Sequence, residues 1–131
     1  MTNVNNAAAT GGRLLMSVIF LLSGFEKLIG FGGTVAYMAS QGLPLPMLAA
    51  IVAVVVECLG GLLVLIGYQT RTTTLVLAAW SVATALVAHT HFSDSNQMIN
   101  FLKNLAIAGG FLQLFAFGGG AWSVDAFRGR N

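Results

Sequence analysis

Charge is what this sequence has least of. Asp, Glu, Lys and Arg make up 8% of its 131 residues, where a soluble domain carries roughly 25%. With 56% of the residues hydrophobic, a soluble fold would have to hide nearly every apolar side chain, and a chain this short has too little interior for that. The net charge of +2 comes with no basic stripe and no aromatic residues interleaved among Lys or Arg, which excludes a nucleic-acid surface. The single cysteine, Cys58, cannot close an intramolecular disulfide and has no C-x-x-C partner; it reads as a small buried hydrophobe. The N-terminus has no cationic stretch ahead of a short apolar core. Residues 1–12 therefore read as a disordered cytoplasmic tail, not a signal peptide, and 13–131 as one transmembrane domain.

What remains is apolar sequence in four runs: Leu14 to about Phe31, Met47 to Ile66, Thr73 to about His89, and about Ile99 to Phe117. Each approaches the 20 or so residues that cross a bilayer. The expected fold is all-α, four transmembrane helices in an antiparallel bundle. Between the first two runs, GTVAYMASQG is followed by Leu43, Pro44, Leu45 and Pro46, which predicts a short interfacial helix ended by a turn. The link Gly67 to Thr72 is tight, as between antiparallel neighbours. Arg13, Arg71, Arg128 and Arg130 fall on one side of this topology, and the positive-inside rule puts that side and both termini in the cytoplasm.

Against this background the polar residues inside the runs stand out. Glu57 lies about 15 Å along the second helix from the outer side, at mid-depth, where an acid costs roughly 3 kcal/mol to insert. Glu26 and His89 fall in the outer half on the first and third helices. Asn100, Lys103 and Asn104 mark one face of the fourth near its outer end. Gly60 and Gly61 follow Glu57 at helical spacing and allow close helix approach. These pieces can surround one polar cavity open to the outside, with Glu57 as its floor and Lys103 as the cation nearest both carboxylates. The residues expected to bind a ligand or relay a proton are Glu57, Lys103, Glu26, His89 and Asn104. Lys27, near a helix end, reads equally well as a side chain snorkelling to the interface. His89 and His91 point to nearly opposite sides of a helix, so no metal site is expected. No nucleophile with a base, phosphate loop or paired-carboxylate motif is present. The GFGG at Gly30 to Gly33 follows no strand and is not a dinucleotide fingerprint.

Arg13, the run SGFEKL from Ser23 to Leu28, ECLGG from Glu57 to Gly61, Gly67 and Arg71, His89 and Phe92, and FLKNLAIAGG from Phe101 to Gly110 occur in an order and spacing that resemble the DoxX family. The resemblance runs from about Arg13 to Phe117. It implies a four-helix protein of the bacterial inner membrane, linked with thiosulfate and quinone redox systems and often a small partner subunit of an oxidoreductase complex. Three readings follow: a non-catalytic anchoring subunit of a redox complex, a quinone- or small-ligand-binding protein, and a proton or solute carrier titrating on Glu57. No intrinsic cofactor is expected, with a bound quinone as the alternative. The expected partners are the lipid bilayer, other membrane redox subunits and further copies of the chain.

Overall fold

The structure, a computed structural model, describes residues 2–130. Six helices follow in order: α1 Asn3–Ile29, α2 Phe31–Ser40, α3 Pro46–Ile66, α4 Thr70–Ala88, α5 Ser95–Phe117 and the short α6 Val124–Phe127. Helices α1, α3, α4 and α5 are each long and apolar enough to cross a membrane, and α2 is the short helix between the first two spans. Large apolar side chains such as Leu15, Leu22, Leu59, Leu86 and Leu112 stand exposed on the outside of the bundle. Water would penalise such a surface, whereas lipid tails match it.

The helix ends follow local chemistry. Pro46 opens α3 at a position where its missing N–H costs nothing. Gly67 ends α3 at φ +74°, and its N–H bonds back to the carbonyls of Leu63 and Val64. The Asp94 carboxylate accepts the Asn96 N–H at the start of α5. At the α1–α2 break, the Thr34 hydroxyl donates to the carbonyls of Lys27 and Gly30, each at 3.1 Å, and so satisfies groups that the end of α1 leaves open.

The first helix begins ten residues before Arg13, which corrects the expected disordered tail. Thr2 caps it by accepting the Asn5 N–H, three consecutive alanines, Ala7 to Ala9, favour helix, and buried Asn6 accepts the Ala121 N–H. Arg13 is accordingly a residue inside α1 and almost wholly buried. Its guanidinium donates to the carbonyls of Gly119 at 2.8 Å, Val64 at 3.2 Å, Leu65 at 2.7 Å and Trp122 at 2.7 Å. It thereby closes the C-terminal end of α3 and holds the segment before α6. Asp125 completes this end of the molecule by accepting the N–H groups of Gln69 and Thr70, each at 2.7 Å, at the N-terminus of α4. Both chain ends therefore meet at one end of the bundle, with Arg128 stacked over the Tyr68 ring at 5.2 Å.

Packing is uneven. Helix α1 lies along α3, and α4 along α5; these are the two intimate pairs, while α3 and α4 touch less. Across the pairs, a small core holds Phe20, Val64, Leu77, Ala78, Ala108 and Phe111. The Phe20 and Phe111 rings lie 5.3 Å apart at 60°, Leu77 sits against Gly60, and Met16 sits against Gly110. All of these cross-pair contacts fall toward the end that holds the termini. At the other end the pairs part.

Candidate functional site

The separation leaves a cavity of about 910 Å³ between the helix pairs, lined by α1, α2, α3, α4 and α5. Glu57, Glu26, His89 and Asn104 all line it, together with Ser23, Lys27 and Trp80. Four of the five residues expected at one site are thus brought together. Lys103 is not: it is exposed and outside the lining, while Asn104, about 100° further round the helix, turns inward. Asn104 Nδ2 donates to the Ser81 carbonyl and to Thr84 Oγ1, both at 3.2 Å, which ties α5 to α4 along the cavity wall.

The cation beside Glu57 is Lys27. Its Nζ lies 3.0 Å from Glu57 Oε1 and donates to Ser23 Oγ at 2.7 Å. Among the described residues this is the one ion pair. The Glu57 side chain is 5% exposed and that of Lys27 28%, so the carboxylate is buried and the ammonium edges the cavity. The register of α1 on α3 explains the pairing. A Cβ on Gly24 would lie 2.7 Å from Cys58 Sγ and 2.9 Å from Cys58 N, and one on Gly61 would lie 3.0 Å from Leu21 Cγ. Gly24 thus stands level with Cys58, and Leu21 with Gly61. Continued up the antiparallel pair, this register sets Lys27 opposite Val55 and Ile29 opposite Ala53.

Helix α3 therefore extends seven residues, about 10 Å, past the end of α1. The end of α1 is therefore not the end of the bundle, and Lys27 lies alongside the middle of α3 rather than at its tip. Because Cβ bonds tilt toward a helix N-terminus, Lys27 leans along α1 toward the end that holds the termini and Glu57 leans along α3 away from it, and the two meet. The same register puts Glu57 level with Phe25, beside Glu26 and not beneath it. Lys27 is the site residue that the sequence reading left out. The available signal was Ser23 four residues before it, on the same face and within reach of the ammonium.

Glu26 is exposed at the cavity edge and has no ion-pair partner among the described residues. His89 caps the end of α4, its N–H bonded to the Ala85 carbonyl, with its ring half-buried. Cys58 is half-buried against the bare backbone of Gly24.

Four apolar spans around a cavity with one internal ion pair define a small polytopic membrane protein. The DoxX family model matches residues 8–90. The chain is 44% identical over 119 residues to the inner membrane protein YphA of Escherichia coli (strain K12), which covers 86% of this chain and 84% of that one. It is 38% identical over 125 residues to the inner membrane protein YqjF of the same strain, covering 95% of both chains. A shorter match, 39% identical over 59 residues, covers 45% of this chain and 42% of CatD of Bacillus subtilis (strain 168), a protein provisionally named an oxidoreductase. No solved structure matches the chain. The chain belongs to the DoxX family and is an integral inner-membrane protein.

Proposed function

We propose that this protein is a small membrane subunit of a redox assembly and that its cavity holds a quinone-class ligand. The observation that carries this reading is the cavity itself: about 910 Å³ within the outer half of the spans, largely apolar, with Lys27 and Glu57 paired at its base. A pocket with apolar walls and a few convergent polar groups is the usual form of a small-molecule site. The provisional oxidoreductase name of CatD, shared over part of the chain, supports the redox assignment. On this reading the chain supplies no redox centre of its own, and electrons would pass between the ligand and a partner subunit. A carrier built on Glu57 is less well supported, because such a cycle would have to break the bond to Lys27 at every turn.

The test is extraction in a mild detergent followed by analysis of both the copurifying proteins and the lipid extract. The expected result is a quinone in stoichiometric amount with the wild type, depleted in Lys27→Met, and a redox subunit in the same fraction. A lone protein with no quinone would overturn the proposal. We place both termini in the cytoplasm, because Arg13, Arg71, Arg128 and Arg130 share the end where the termini meet. A C-terminal fluorescent protein should then fluoresce and a C-terminal alkaline phosphatase be inactive; the reverse pattern would invert the topology.

A further inference from the structure

The cavity is not closed on its sides. Leu48 and Val52 of α3 and Val87 of α4 line it and are nevertheless 53%, 40% and 44% exposed, and Ala83 of α4 behaves alike. Leu77 rests on Gly60, and eight residues further out on each helix, about 12 Å, Val52 stands level with Ala85, between Ala83 and Val87. Exposed apolar residues of both helices thus edge the cavity between α3 and α4, as at a mouth open to lipid. The lining from α1 and α5 is apolar at Ile19, Phe20 and Ile107 as well, but carries the exposed acid Glu26. The edge formed by Leu48, Val52, Ala83 and Val87 holds no charged side chain, which suits it better to hydrocarbon.

The base is equally specific. An ammonium has three donors, and Lys27 uses one on Ser23 and one on Glu57. Glu57 Oε2 takes no hydrogen bond from the described residues and is not among the fully buried unpaired atoms, so it keeps contact with the cavity. The pair as a whole is neutral, and the unpaired acid nearby, Glu26, disfavours an anionic head. The site therefore offers one donor and one acceptor to an uncharged head group.

Resting on the reading above, we propose that the ligand is a membrane-dissolved molecule with a neutral, carbonyl- or hydroxyl-bearing head and a long apolar tail. The head hydrogen-bonds Lys27 and Glu57, and the tail leaves between α3 and α4 past Val52, Ala83 and Val87. Trp80 lines the same cavity, and the other tryptophan, Trp122, lies at the far end of the bundle, so Trp122→Phe leaves one reporter at the site. In lipid nanodiscs, a benzoquinone with a decyl tail should quench Trp80 saturably. A tailless benzoquinone should bind about tenfold more weakly with concentrations counted in the bilayer phase. Ala83→Phe, and separately Val52→Phe, should narrow the mouth and remove most of the tail's advantage while leaving the tailless compound unaffected. Both positions are lipid-exposed, so either variant serves if the other folds poorly. Equal binding of both quinones, unchanged by either variant, would overturn the tail route and leave the ligand assignment standing. Quenching by neither would remove the ligand assignment and this proposal together. Quenching by phospholipids with brominated chains that decyl-benzoquinone cannot displace would assign the cavity to bilayer lipid and overturn it as well.

Discussion

Lys27 and Glu57 form the one ion pair among the described residues, with the carboxylate buried and the ammonium at the cavity. A buried pair gains little over well-packed apolar residues, but removing one partner strands the other, at a cost of about 3–5 kcal/mol when both are fully buried. Because the ammonium is partly exposed to the cavity, Lys27→Met and Glu57→Gln should each lower stability by about 1–3 kcal/mol, and the double substitution should cost clearly less than their sum. Reversible unfolding in mixed micelles measures the cycle; simple additivity would mean that the two charges do not interact. In the sequence, the isolation of Glu57 was plain and the expected neighbours Glu26, His89 and Asn104 do share its cavity. The partner was misassigned because depth was counted from helix ends. Nothing in composition or periodicity reveals that α3 outruns α1, or that Cβ tilt on antiparallel helices draws Lys27 and Glu57 toward each other.

At the scale of the helix, the register that creates the site depends on Gly24. A methyl group there would meet the backbone nitrogen of Cys58 as well as its sulfur, and a backbone atom cannot rotate away. Gly24→Ala should therefore push α1 from α3 and cost about 1–3 kcal/mol. Cys58→Ala in the same chain should restore only part of the loss, since it relieves the sulfur contact alone. Thermal unfolding of the two variants decides this, and complete rescue would contradict the packing described here. The four spans, the short helix after the first and the close approach at Gly60 and Gly61 were legible in the sequence, because hydrophobic run length and the Gly-Pro punctuation act locally; the contact of Gly24 with Cys58 was not. The helical start at Asn3 was not. Its stability depends on Asn6 meeting Ala121, a contact 115 residues away.

Taken as a whole, the molecule is two helix pairs fastened at one end and parted at the other. The fastened end is built from Arg13, Asp125, Gly67 and the α3–α4 link, and the parted end holds the cavity. Such an arrangement leaves the helix contacts that fix the topology at the end that holds the termini and the cavity at the other. Arg13 gives that fastening a place in time as well as in space. Two of its acceptors, the carbonyls of Gly119 and Trp122, are 106 and 109 residues downstream, so during synthesis part of the guanidinium's hydrogen bonding stays unmet until that segment has been made. A chain ended after Gly118 should insert its four spans yet turn over faster in cells than the full-length protein, which pulse-chase labelling would show; equal lifetimes would refute it. The segment from Gly119 to Asp125 thus completes the fastened end, and the bundle reaches its final form only once that segment has docked on Arg13 and the start of α4.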